Sequence, residues 1–207
     1  MTTNDVEKKE NPQTRQLLID AGIKLIAEKG YDSASIGDIA TLAEVTKGAV
    51  YYHFRSKENF VLEIIKQRSE SNLARLKQLR KDNIPITEWI ENVFSMIIGF
   101  PDTDQQHFLL QVMVASIRPE HKMIAALVAE IHAKWRKLLA EMIEMSDEYQ
   151  KGQLLEDSEV IAVGIMALID GLLIHSRVEP EIFTKKEFIK RLAPLLQLWV
   201  LQVPSET

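Results

Sequence analysis

The thirteen residues from Val45 to Lys57 carry three cations (Lys47, Arg55 and Lys57), two adjacent tyrosines, one histidine and no carboxylate. Cations and hydroxyls gathered on so short a segment suit contact with phosphates and base edges. Thr46 can cap a helix that starts at Lys47, with Val50 and Phe54 four residues apart on its inner side. Lys47, Gly48, Ala49, Tyr51, Tyr52 and His53 then occupy the rest of its surface, and such a surface can line a major groove. Lys47 can donate to guanine O6 or N7, or equally to a phosphate. Ala49 can touch a thymine methyl, and Gly48 permits close backbone approach. Tyr51 and Tyr52 can reach a base or the backbone, or else pack against the first helix. His53 reads as packing at the helix end. Ser35, Thr46 and Lys57 complete the candidate DNA contacts; Lys57 lies in the first turn of a helix capped by Ser56, where amides and a cation can hold one phosphate.

Three short helices must position this ridge. Asn11-Pro12 opens the first, whose stripe is Leu17, Leu18, Ala21, Leu25 and Ile26, and Gly30 closes it. Ser35 caps the second, with Asp38 placed to complete a capping box and Ile36, Ile39, Ala40 and Ala43 facing inward. The turn that follows carries Glu44 where glycine is usual. A side chain held in a left-handed conformation there costs on the order of 1 kcal/mol.

Ile39-Ala40, Val45, Lys47-Gly48, Val50-Tyr51, His53-Phe54 and Lys57-Glu58 together resemble the signature of the TetR family of transcriptional regulators. The resemblance runs from about Arg15 to Ile65 and is specific for the family. It implies a double-stranded DNA operator, a homodimer, and repression relieved by a small effector. The corresponding domains are residues 11–57, which read DNA, and residues 58–207, which bind effector and dimerise.

The whole chain is consistent with that division. Its 207 residues are 46% hydrophobic and 27% charged, enough for a globular core. The net charge of −5 contrasts with a local +3 between Val45 and Lys57, which favours specific sites over general coating of DNA. There is no cysteine, so disulfide and thiolate chemistry are excluded. No apolar run approaches the roughly 20 residues a bilayer requires, and Met1 to Asn11 is polar, unlike a secretory signal. The reading is therefore a cytoplasmic protein without membrane contact, the localisation resting on the DNA reading.

Beyond Ser56 a long linking helix runs from Phe60 toward Lys81. Breaks at Pro85, Pro101, Pro119, Gly152 and Pro180 predict further helices over 86–99, 104–117, 120–145, 158–176 and 185–201. The fold is read as all-α, with about nine helices. Between the linker and the last helices, Trp89, Phe94, Ile97, Phe108, Met113, His132, Trp135 and Met166 are a Met-rich and aromatic set that fills a core or lines an adaptable pocket. The resemblance implies the pocket, and the composition favours an apolar or amphipathic effector. Val163, Ala167, Gly171 and Ile174, with Leu192, Leu195 and Trp199, are apolar surfaces that must be covered, within one subunit or, as the resemblance implies, by a four-helix dimer interface. Asp170 would pair with His175 or with the partner subunit.

No enzyme, cofactor or metal site emerges. Asp104-Gln-Gln-His107 is the nearest approach to the paired Glu-x-x-His segments of a di-iron bundle. His121 and His132 share a helix face but lie about 16 Å apart along it. Neither a phosphate-cradling glycine loop nor a nucleophile elbow is present. The competing reading is a helical ligand-binding or adaptor protein without specific DNA binding.

Overall fold

The computed structural model describes residues 12–79, 86–98, 103–154 and 156–183, with Leu192 and Leu195. The regular structure among them is helical: α1 (Pro12–Lys29), α2 (Ile36–Leu42), α3 (Lys47–His53), α4 (Lys57–Leu79), α5 (Ile86–Ile98), α6 (Thr103–Ser116), α7 (Lys122–Glu144), α8 (Asp147–Gln150), α9 (Ser158–Val178) and α10 (Pro180–Phe183). The fold is all-α, as the sequence indicates. The single turns α8 and α10 were not foreseen, because four residues are too few to show a helical period. The helix expected over 185–201 lies outside the described residues except for Leu192 and Leu195, both helical.

α1 buries Leu18, Ala21, Leu25 and Ile26, while Leu17, expected on the same stripe, is exposed. It ends at Gly30, whose φ of 86° is a left-handed conformation that glycine adopts without strain. Gly22 lies under the Phe60 ring of α4; a Cβ there would sit 2.3 Å from two ring carbons. Phe60 in turn packs edge-on against Phe54, with centroids 4.6 Å apart, and both rings are buried. This stack fixes the end of α3 to the start of α4.

Among the described residues, two apolar cores result. The first joins α1, α2, α3 and the start of α4 to Phe108, Val112 and Ala115 of α6 and Ile124 of α7. The second joins Leu76 of α4, Ile90, Val93 and Phe94 of α5, the C-terminal half of α7 and the inner face of α9. A division at residue 57 therefore does not separate cores, since the first core crosses it.

α9 corrects one expectation. Its 21 residues are long and apolar enough to cross a membrane by length and composition. Ile161, Ala162, Ile165, Ile169 and Leu173 are instead buried in the second core, in the manner of a globular protein's interior helix.

Candidate nucleic-acid interface and ligand cavity

The reading helices are held by their own caps. The Asp38 amide donates to Ser35 Oγ (3.1 Å), and the Ser35 amide and hydroxyl donate to Asp38 Oδ2 (3.3 and 2.9 Å), so the capping box forms as the spacing predicts. The hydroxyl bond, then the backbone bond, holds the Asp38 carboxyl below its usual range. A depressed carboxyl stabilises the fold above the ordinary carboxylate pKa, and that contribution is lost as pH falls through the depressed value. Thr46 caps α3 by accepting from the Ala49 amide at 3.2 Å.

Between the two helices the Glu44 amide donates to Thr41 O (3.2 Å) and the Val45 amide to Ala40 O (2.9 Å), the bond pair of a Schellman motif. The motif places Glu44 at φ 55°, the only positive φ outside glycine among the described residues. Its side chain is exposed and gains no packing to offset the strain. Glu44→Gly is expected to relieve on the order of 1 kcal/mol and to raise the melting temperature by roughly 2 to 4 °C; an unchanged melting curve would remove the strain argument.

The outer face of α3 is open. Val50 and Phe54 are buried inward, whereas Tyr51 and Tyr52 are 54% and 58% exposed. Both tyrosines thus present about half of their surface to solvent. A Cβ on Gly48 would meet only Thr46 Oγ1, at 3.7 Å, so nothing inside the protein requires a glycine there. Lys47 is exposed and lies along the start of α2, where a Cβ on Gly37 would be 2.7 Å from its Cε. Ala49 is half-buried. His53 is half-buried, with its ring edge-on to Tyr52 at 5.2 Å, in keeping with a packing role.

Lys57, expected at a phosphate, bonds within the chain here. Its ammonium donates to the carbonyls of Tyr31 (2.8 Å), Ala34 (3.0 Å) and Asp32 (3.2 Å) and lies 4.4 Å over the Tyr31 ring. Those bonds engage all three donors of an ammonium. Burial lowers its pKa. Lys57 therefore fastens the 31–34 turn to the head of α4. The same turn is tied to the α6–α7 connection, because the Asp32 carboxylate accepts from Arg118 and lies 2.8 Å from His121 Nε2. Lys57→Gln is expected to weaken operator binding while leaving the slope of log affinity against log salt unchanged. A phosphate-binding lysine would instead lower that slope by about 0.9.

A cavity of about 140 Å³ opens between α4, α6, α7 and α9. It gathers Met113, His132, Trp135 and Met166 from the expected pocket set. Phe94 and Phe108 are absent from its wall because both are fully buried in the two cores, where they pack on neighbours and face no space. Trp89 and Ile97 are on α5, and their side chains lie outside the described residues. Arg68, Ser69 and Asn72 of α4 also line the cavity, although on sequence they resemble an ordinary solvated helix face. Asp170 lines it opposite them. Burial pushes its carboxyl up, partly offset by the nearby His132. His132, rather than the exposed His175, is thus its neighbour.

The outward stripe of α9 carries Val163 and Ile174, 50% and 49% exposed, with Ala167 also exposed. A Cβ on Gly171 would meet nothing within 4 Å. Leu195 is 62% exposed, whereas Leu192 packs on the second core of its own chain and so is turned away from a purely intersubunit role. Trp199 lies outside the described residues. No cluster of three metal-ligating side chains occurs among those described.

A capped two-helix reader, an open third face and a helical body with an apolar cavity define a helix-turn-helix transcriptional regulator. Residues 18–64 match the profile of bacterial regulatory proteins of the tetR family, and residues 87–198 match the C-terminal region of BetI-type transcriptional repressors. The chain belongs to the TetR family. It is 30% identical over 109 residues to the HTH-type transcriptional regulator AcrR of Shigella flexneri, covering 51% of this chain and 50% of that one. With the HTH-type transcriptional repressor DhaR of a Mycobacterium species it shares 27% identity over 169 residues, or 80% and 83% of the two chains. Salmonella enterica GusR has the same fold, with a TM-score of 0.72 at 21% identity over 91% of this chain and 96% of that one.

Proposed function

We propose that the protein is a homodimeric repressor that reads its operator with α3 and leaves it when a small apolar or amphipathic molecule fills the cavity. The observation that carries the reading is the outer face of α3. A glycine that no internal contact demands stands beside two exposed tyrosines and Lys47 on a capped, rigid helix. In this reading Lys47, Ala49, Tyr51 and Tyr52 meet bases, Gly48 lets the backbone approach, and Ser35 and Thr46 lie at the backbone margin. Lys57 positions these groups from behind.

Release follows from α4. Eleven residues, about 16 Å of helix, separate Lys57 at the reading module from Arg68 at the cavity. Two recognition helices must meet successive major grooves about 34 to 36 Å apart, so a modest displacement of α4 in both subunits spoils their spacing. An effector preference of roughly 1 to 3 kcal/mol for the displaced form lowers operator affinity by about 5 to 150 fold. Selection of bound sequences from random duplexes, followed by a screen for release, tests the whole scheme. Failure to enrich any motif would favour the adaptor reading, and an effector that binds without altering operator affinity would refute the coupling.

The outward stripe of α9 supports dimerisation, since its exposed apolar residues align on one side of the helix. Val163→Glu is expected to convert the protein to a monomer in sedimentation at micromolar concentration; a dimer that persists would move the interface elsewhere. Operator binding would have the protein act in the cytoplasm.

A further inference from the structure

We infer that Gly37 is a positioning residue for operator binding: the space left by its missing side chain holds Lys47 across the start of α2, in the place from which the ammonium meets the duplex. The inference rests on the reading of Lys47 as a DNA contact. Lys47 is the first residue of α3, and Gly37 is the second of α2. A Cβ on Gly37 would lie 2.7 Å from Lys47 Cε and 3.0 Å from its Nζ, with Ser35 Oγ next at 3.5 Å. The end of the lysine therefore occupies the volume that a larger residue would claim. Its charge is felt at the neighbouring Asp38 carboxyl, which the Ser35 bonds hold low and to which Lys29 and Lys47 add the pull of two cations.

Nothing else at position 37 asks for glycine. The positive-φ glycines among the described residues are Gly30 and Gly152, so the backbone of α2 accepts any L-residue there. The Gly37 carbonyl accepts from Thr41 Oγ1 at 2.9 Å, a bond indifferent to the side chain at 37. Glycine is also a poorer helix former than alanine. What it supplies is a passage for Lys47. A free lysine loses rotamer freedom on binding, and that loss opposes association. Laid against α2, Lys47 meets DNA with part of this freedom already given up. A methyl group at residue 37 falls inside contact distance of Cε. Because Lys47 is exposed, its end swings aside while the helices stay where they are.

A double-mutant cycle in the full chain, read on a duplex that the parent protein selects from random sequence, tests this. Gly37→Ala is expected to lower operator affinity about two- to tenfold, while the melting temperature stays level or rises. Lys47→Ala lowers affinity by itself, and adding Gly37→Ala to it is expected to have no further effect, since the group being positioned is gone. Full affinity in Gly37→Ala, with Lys47→Ala impaired, would overturn the inference and leave Lys47 a contact. A Gly37→Ala loss that persists in the Lys47→Ala background would also overturn it, placing the methyl itself against the duplex. So would a lowered melting temperature in Gly37→Ala, which would mean that the helices and not the lysine give way. Unchanged affinity in Lys47→Ala would overturn the Lys47 reading and the inference with it.

Discussion

Gly22→Ala is expected to lower the melting temperature, although the same exchange in an open helix raises it. A mid-helix glycine costs about 1 kcal/mol relative to alanine, so helix propensity alone favours the substitution. The added methyl would lie 2.3 Å from two carbons of the Phe60 ring, well inside contact distance. That ring cannot turn away freely, because it is fully buried and stacked edge-on against Phe54. Overpacking of this kind costs about 1 to 3 kcal/mol. At the upper end a net loss of about 2 kcal/mol remains, or roughly 4 to 8 °C for a chain of this size. The strain should also reach operator binding, since Phe54 closes α3. Combining Gly22→Ala with Phe60→Leu should recover part of the loss, and the recovered fraction measures the contact. A melting temperature equal to or above that of the parent would mean the ring has room to yield.

Gly48→Ala should separate stability from function. A Cβ at this position meets only Thr46 Oγ1 at 3.7 Å, so the substitution adds helix propensity without a clash. A gain of up to about 1 kcal/mol raises the melting temperature by roughly 2 to 4 °C. Operator affinity should fall by about tenfold to a hundredfold, equivalent to roughly 1.4 to 2.8 kcal/mol, because the methyl holds the duplex away from the helix backbone. Mobility-shift titration alongside a thermal melt reads both directions on one sample. Retained affinity would dissociate Gly48 from the groove and weaken the case for the α3 surface as a whole.

The caps and the turn were legible because they are local. Ser35 with Asp38, Thr46 with Ala49 and the left-handed Glu44 each depend on residues within five positions, and their side-chain chemistry dictates the bond. The bonds of Lys57 were not legible, for the opposite reason. Its partners are backbone carbonyls 23 to 26 residues earlier, and carbonyls leave no trace in residue identity. The pocket was half legible. His132 and Trp135 share a helix face by their spacing, but Phe94 and Phe108 differ from true lining residues only in whether a void lies beside them. Arg68 and Asn72 were passed over because a polar residue beside a cavity and one beside solvent look alike in sequence. Asp170 carried a visible anomaly, a carboxyl in an apolar helix, yet its neighbour His132 lies on another helix and only the packing of α7 on α9 brings the two together.

The first core has an evolutionary consequence. α1 rests on α6, and Phe108, Val112 and Ala115 fill the same interior as Ile26, Ile39 and Val50. Recombination at the start of α4 would part the N-terminal helices from Phe60, Val61, Ile64, Ile65, Phe108, Val112, Ala115 and Ile124, and is expected to destabilise the resulting chimaera. Chimaeras should succeed only when α6 travels with the head, whereas point changes on the outer face of α3 remain free to drift.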